Sequence, residues 1–156
     1  MAISYVNHQS IPDAAFADKA LLGIKAFEEK RFGYYQDTNA AQTAIILQEY
    51  YHYNQVQLLQ NPTIADIKQA ITDKKIVLVP AAGRDLGNPY FQTPGPLYHM
   101  LVIKGYTSNN KFITNDPGTR HGADFIYDQT TIMNAMHDWR TDSQIELGKK
   151  VVIIVG

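Results

Sequence analysis

The sequence has 156 residues, the length of one ordinary domain, and its apolar content of 45% is enough to build a core, which excludes an intrinsically disordered chain. Because 14 Lys and Arg residues nearly balance 15 Asp and Glu residues, the chain lacks the broad positive field that general nucleic-acid binding requires. No apolar run approaches the roughly 20 residues of a transmembrane helix, and the N-terminus lacks the features of a signal peptide. We therefore expect one compact domain over residues 1–156, with no membrane span.

The first half of the chain predicts helices. Apolar residues recur there at spacings of three and four, which places Phe16, Ala20, Ile24 and Phe27 on one helical face. Capping residues mark where the helices begin and end. The predicted helices are Met1–Asn7 (a helix whose beginning is missing), one from Pro12-Asp13 to Gly33, one from the N-cap Thr38 to about Tyr51 with Ala41, Ala44 and Ile45 inward, and one beginning at Pro62-Thr63.

The second half predicts strands. Short β-branched and aromatic runs alternate there with turn-forming residues. The predicted strands are Lys75–Pro80, Tyr98–Tyr106, Lys111–Asp116, Phe125–Tyr127 and Val151–Val155, and Asp128 caps a helix that carries Trp139 on its apolar stripe. Helices followed by strands favour an α+β fold in which N-terminal helices pack on a mostly antiparallel sheet. The long Gly- and Pro-rich segment Ala81–Leu97 is typical of a functional loop.

The most informative pair of polar residues is His99 and Asp116. The two residues lie at the open end of the predicted hairpin. If Tyr106 pairs with Lys111, Asp116 lies opposite Leu101, and His99 then points to the same face, at a backbone distance of about 7 Å that side chains can bridge. A slip of one residue would place the two side chains on opposite faces.

A histidine–carboxylate pair has two interpretations. A carboxylate that accepts the imidazole N–H fixes the ring tautomer and leaves the other nitrogen free to take a proton from a nucleophile. Alternatively, His99 is a hydrogen-bonded residue at a strand end and Asp116 belongs only to a turn. The pattern by itself leaves both interpretations open.

Other chemical signatures are weaker. The sequence has no phosphate-binding Gly-rich loop, no nucleophilic-serine motif and no zinc-binding helix motif, and no two of its five histidines lie three to five residues apart, so we expect no metal and no cofactor. Cysteine is absent, which excludes a thiol nucleophile within these residues. Arg84 and Arg120 could bind a substrate carboxylate or could be ordinary surface arginines. His121 follows Arg120 in a polar turn, and we interpret it as a solvated loop histidine in preference to a ligand.

Several segments resemble a known family. Pro94–Tyr106 and Phe112–Arg120, with a histidine-containing strand and the sequence Asn-Asp-Pro-Gly, are similar to the peptidase domain of the thirty-ninth cysteine-peptidase family in its broader form. That family is related to the peptidases that cleave bacteriocin leaders after a double glycine. Val79–Arg84 and Gly33–Thr38 also fit, and the resemblance extends from Met1 to about Trp139.

The resemblance implies a papain-like fold in which a catalytic cysteine begins an N-terminal helix. His99 matches the family histidine and Asp116 its acidic partner, whereas the cysteine would fall a few residues before Met1. Either the chain is truncated relative to the family or it is a natural domain that lost catalysis, and we favour truncation because no N-cap precedes Met1. Tyr98, Arg84 and Asn115 are our candidate substrate-binding residues.

Two functions follow from the resemblance. In the first, the complete protein hydrolyses peptide or amide bonds by a Cys-His-Asp mechanism, and the present chain is inactive by itself. In the second, a degenerate papain-like cleft binds peptides without cutting them. Truncation would expose apolar surface and favour a homodimer. Proteins with this resemblance are mostly bacterial, and many are exported or attached to the cell surface.

Overall fold

The computed structural model describes all residues from 1 to 156. Asp13 caps the longest helix by accepting the Phe16 N–H at 2.7 Å, and Gly33 ends that helix in the left-handed conformation with φ of 83°. The helices are α1 (Ala2–Val6), α2 (Ala14–Phe32), α3 (Ala40–Ile45, continued by a π turn over Ile46–Tyr50), α4 (Ile64–Thr72) and α5 (Gln129–Ala135). None of them has both the length and the hydrophobicity needed to cross a lipid bilayer.

A single six-stranded sheet organises the domain. Its strands are β1 (Val56–Gln60), β2 (Ile76–Ala82), β3 (Tyr98–Tyr106), β4 (Lys111–Asn115), β5 (Phe125–Asp128) and β6 (Val151–Val155). They lie in the order β1-β6-β2-β3-β4-β5, and every neighbouring pair is antiparallel. The predicted combination of helices with an antiparallel sheet is therefore confirmed.

The two faces of the sheet bury two separate apolar clusters. On one face, Leu101, Ile103 and Phe112 pack with side chains of α4 and α5. On the other, Val102 and Ile153 pack with α1 and α3. Since successive strand residues point to opposite faces, β3 divides its side chains between the two clusters.

The structure differs from the predicted elements at three helices. Asn39, not Thr38, caps α3, because Asn39 and Gln42 form a reciprocal capping box. Helix α5 ends at Ala135, so Trp139 lies beyond it. Helix α2 buries only Glu28 fully and leaves Phe16 46% exposed, so its predicted apolar face is not a core face along its whole length.

Two further differences concern the core and the sheet. Ala41 is exposed, whereas Ala40 and Leu47 are buried, because Ala40, Ala44 and Leu47 follow one another at spacings of four and three and form the buried face of this helix. Strand β1 was not predicted, since its sequence Val-Gln-Leu-Leu-Gln does not alternate and it lies at the sheet edge beside β6.

The exposed apolar side chains on α2 include Leu21 and Leu22. The homodimer expected from exposed apolar surface stays a prediction.

The β3–β4 hairpin contains a register shift that decides where the polar pair lies. Near the turn, Tyr106 pairs with Phe112, one residue away from the predicted partner Lys111. A β-bulge between Ile103 and Gly105 then restores the predicted register, so that Val102 pairs with Asn115. The open end of the hairpin consequently has the alignment that the site requires.

The core beneath this hairpin gives the first prediction. Phe112 is fully buried, and Phe112→Ala should lower the free energy of unfolding by about 3–5 kcal/mol because it removes buried apolar area and leaves a cavity. Ile126→Ala, on the neighbouring strand β5 at a side chain that is 55% exposed, should change it by less than about 0.5 kcal/mol. Chemical denaturation measures both, and equal effects would contradict the assignment of Phe112 to the core.

Candidate active site

The site is built around a short hydrogen bond between His99 and Asp116. The Nε2 atom of His99 lies 2.6 Å from Oδ1 of Asp116. The Asp116 side chain is completely buried, and 11% of the His99 side chain remains exposed. The structure thus brings together the two residues that the sequence analysis predicted to be catalytic.

Asp116 accepts hydrogen bonds from three side chains. Oδ1 receives the His99 contact, and Oδ2 accepts from the Tyr127 hydroxyl at 2.5 Å and from Nδ2 of Asn88 at 2.9 Å. Burial by itself raises the pKa of this carboxyl, but the hydrogen bonds from His99, Tyr127 and Asn88 outweigh burial, so the Asp116 pKa lies below its ordinary value of 3.8. Asp116 is therefore a carboxylate at neutral pH.

The charge on Asp116 determines the tautomer of His99. A carboxylate can only accept hydrogen bonds, so the Nε2 of His99 must carry a proton and donate it. In a neutral ring Nδ1 is then the basic nitrogen, and Nδ1 makes no hydrogen bond within the chain. His99 is consequently a base of fixed orientation whose Nδ1 atom is free to accept a proton.

Three residues surround the imidazole. The Phe91 ring lies edge-on to it, with centroids 5.1 Å apart. At Gly83, a Cβ atom would lie 3.0 Å from the Cβ of His99 and 2.5 Å from the Pro96 carbonyl oxygen, so the end of the long loop can approach β3 only because that position is glycine. A Cβ at Gly118 would lie 3.8 Å from the Cε1 of His99.

A closed turn after β4 holds Gly118 in place. The backbone N–H of Asp116 donates to the Gly122 carbonyl at 2.8 Å, which closes the segment between them. A Cβ at Gly122 would lie only 1.7 Å from the Asp116 carbonyl oxygen, so the closure requires glycine there. The turn therefore fixes the positions of Asp116 and of the residues that face His99.

The three predicted substrate contacts are not brought together. Arg84 is exposed in the short 3-10 helix after β2 and lines a pocket together with Gly83 and Phe91, the two residues that lie against His99. Tyr98 lies on the opposite face of the sheet from His99, as the alternation along β3 requires. Its hydroxyl donates to the Thr38 carbonyl at 3.1 Å and its ring packs on Trp139.

Asn115 also faces away from the His99 side of the sheet. Its neighbour Asp116 points toward His99, and Asn115 itself pairs with Val102, whose side chain belongs to the α1–α3 cluster. The Asn115 side-chain oxygen accepts the Asp124 N–H at 3.3 Å. Of the predicted substrate contacts, Arg84 therefore shares a pocket with residues that lie against the histidine, and the other two do not.

Asn88 and Tyr127 were missed by the sequence analysis. Asn88 lies in the long loop that was singled out, but nothing in its local sequence distinguishes it from a turn residue. Tyr127 was assigned only to a strand, and its contact with Asp116 depends on the β4–β5 register, in which it pairs with Phe112. Burial raises the pKa of the Tyr127 phenol, and its bond to Asp116 raises it further, so the hydroxyl stays protonated and donates.

Comparison with known proteins shows the family of the chain. The sequence profile of the Peptidase_C39 like family matches residues 1–146, so the chain belongs to that family and is a cysteine-peptidase-like domain. The fold is similar to that of a crystal structure described as a C39-like peptidase from Bacillus anthracis, with a TM-score of 0.53 and 13% identity, covering 76% of this chain and 60% of the other. That likeness concerns the fold alone. Among curated proteins none matches the sequence.

The lowered pKa of Asp116 predicts an acid-dependent loss of stability. A carboxyl whose pKa is depressed on folding contributes stability that is present above its unfolded pKa of about 3.8 and is lost as the pH falls through the folded value. Unfolding midpoints of the wild type should therefore fall below pH about 4, and Asp116→Asn should flatten that fall. Asp18→Asn, at an exposed residue of α2 without side-chain partners, should leave the profile unchanged. Parallel profiles for the wild type and Asp116→Asn would contradict this account.

The Tyr127 hydroxyl should stabilise the protein through Asp116. Tyr127→Phe removes a donor to a buried carboxylate and should lower the free energy of unfolding at neutral pH by about 1.5–3 kcal/mol. Tyr106→Phe is a matched control, because its hydroxyl makes a 3.0 Å contact with Thr72 at the surface, and it should cost less than about 0.5 kcal/mol. Urea denaturation of both variants provides the measurement, and equal losses would show that the bond to Asp116 has no special weight.

Proposed function

We propose that this domain supplies the base and the orienting carboxylate of a cysteine peptidase or a related amide hydrolase, arranged as in the papain-like fold. The observation that carries the proposal is the His99–Asp116 contact at 2.6 Å, in which the acid is buried and the basic nitrogen of the ring is unoccupied. A catalytic histidine needs both properties, since one nitrogen must be fixed and the other must exchange protons. Family membership supports the same chemistry.

The proposed mechanism assigns the proton transfers to His99 and the orientation of its ring to Asp116. Nδ1 of His99 accepts the proton of a thiol, and the imidazolium that forms is stabilised by Asp116. The thiolate attacks the carbonyl carbon of an amide, and His99 then protonates the leaving amine. In the second half, His99 takes a proton from water, whose oxygen attacks the thioester carbon; the C–S bond then breaks, the acid leaves, and the thiolate remains paired with the imidazolium. Asp116 remains ionised throughout, because Tyr127 and Asn88 continue to donate to it.

This mechanism requires a thiol that the 156 residues do not contain. In the proteins that the sequence resembles, the cysteine begins a helix whose later part matches α1. The proposal therefore assigns the nucleophile to residues before Met1. The present chain should not hydrolyse amides by this route. The second candidate is a peptide-binding module that keeps the cleft without the chemistry, and the absence of a thiol from these residues is the observation that favours it.

The test uses the longest reading frame that contains these residues. We expect it to encode a cysteine shortly before Met1, and the protein should then react with a thiol-directed probe and cleave peptides. His99→Asn should lower the turnover rate by at least about 100-fold, because it removes the general base. His52→Asn, which changes an exposed histidine at a turn that asparagine also adopts, should leave the rate unchanged.

Two outcomes would overturn the hydrolase proposal. One is a reading frame with no cysteine before Met1, which would favour the binding module. The other is a cysteine-containing protein whose turnover is equal in the His99→Asn and His52→Asn variants.

A further inference from the structure

We infer that a pocket beside His99 binds a carboxylate of the substrate, so that the peptides taken by this domain carry an acidic residue next to the bond presented to the histidine. The pocket is bounded by the side chains and backbone of the following residues: Tyr90, Gln92, Gly118, Thr119, Arg120 and His121. We call it the Arg120 pocket. The inference that a substrate lies beside His99 rests on the proposed function, whereas the choice of a carboxylate as ligand rests on the residues of the pocket itself.

The Arg120 pocket is adjacent to the imidazole. Gly118 belongs to its wall, and a Cβ at Gly118 would lie 3.8 Å from the Cε1 of His99, between the two ring nitrogens. The closed turn between Asp116 and Gly122 carries Gly118 and Arg120 together. A substrate side chain bound in this pocket would therefore belong to a residue next to the amide bond on which His99 acts.

The chemistry of the wall selects an anion. Arg120 is the one residue of the wall with a fixed charge, no wall residue is acidic, and Arg120 forms no ion pair within the chain. The acidic residues on either side of the turn are already engaged, since Asp116 is bonded to His99 and Asp124 pairs with Lys104 at 2.6 Å. The guanidinium thus keeps its full donor set for a carboxylate, which it can bind in two-pronged fashion.

The opposite wall of the pocket is held by aromatic contacts. The Tyr90 ring lies on the His121 ring with centroids 4.2 Å apart, and the Phe125 ring packs edge-on to Tyr90 at 6.1 Å. The Tyr90 N–H also donates to the side-chain oxygen of Asn88 at 3.0 Å, and Asn88 in turn donates to Asp116. The pocket wall and the catalytic pair therefore belong to one hydrogen-bonded unit, which favours a pocket formed before the ligand arrives.

The experiment compares two blocked peptides that differ only in charge. Acetyl-Ala-Ala-Glu-Ala-Ala-amide and its Gln counterpart are titrated into the ¹⁵N-labelled chain, and amide shifts are followed by NMR at low salt. We expect the Glu peptide to shift the signals of Gly118, Thr119 and His121, and to bind about fivefold more tightly than the Gln peptide. Raising the salt concentration should weaken the difference.

Substitutions separate a local site from general attraction. Arg120→Gln should abolish the preference for Glu, whereas Arg31→Gln, which removes the same charge from α2 where Arg31 pairs with Glu49, should retain it. Equal binding of the two peptides, shifts outside the Arg120 pocket, or equal loss in both variants would overturn the inference. Because the titration needs no thiol, its failure leaves the hydrolase proposal standing, and a retained preference in a protein without hydrolytic activity would leave the carboxylate site standing.

Discussion

The architecture of the site depends on one buried carboxylate. Asp116 has no exposure to solvent, and an isolated charge in such a position would be costly enough to be neutralised by protonation. Three donors prevent this, and each comes from a different part of the chain: His99 from β3, Tyr127 from β5 and Asn88 from the long loop. The ionised state of Asp116 therefore requires that the β3–β4 hairpin, strand β5 and the long loop all be in place.

This dependence links the fold to the proposed chemistry. Because Oδ2 is occupied by Tyr127 and Asn88, Oδ1 is left for His99, and the carboxylate cannot rotate without breaking bonds to a buried charge. The ring tautomer follows from that orientation. The same Asn88 fixes the backbone at Tyr90, so the long loop is attached to the His99–Asp116 pair. One set of hydrogen bonds thus positions both the loop and the histidine to which the proposed function assigns proton transfer.

The hairpin shows how far sequence reasoning can reach. The bounds of β3 were predicted from its apolar and aromatic run and from the turn-forming residues that follow it, and the shared face of His99 and Asp116 followed from an assumed pairing of Tyr106 with Lys111. That pairing is wrong, yet the conclusion is right, because the bulge near Lys104 compensates for the shift before the strand reaches Leu101. Nothing in the local sequence announces a bulge of this kind, so agreement at the open end did not follow from the turn.

Local sequence patterns could not predict the remaining site residues, for a similar reason. Tyr127 reaches Asp116 only through the β4–β5 register, and Asn88 only through the path of a loop without repeating structure. Tyr98 and Asn115, which were predicted to bind substrate, adjoin His99 and Asp116 in sequence, but adjacent strand residues point to opposite faces, so their side chains lie on the other side of the sheet. By contrast, Asp13 and Thr63 were recognisable as caps, because a helix N-terminus is satisfied by residues within one turn.

The tautomer of His99 is the most direct measure of this account. Long-range ¹H–¹⁵N NMR correlations of the neutral imidazole distinguish the two nitrogens. The account predicts a proton on Nε2, a hydrogen-bonded Nε2–H resonance far downfield, and loss of that resonance in Asp116→Ala. A neutral ring protonated on Nδ1, or an unchanged Nε2–H signal in Asp116→Ala, would contradict it.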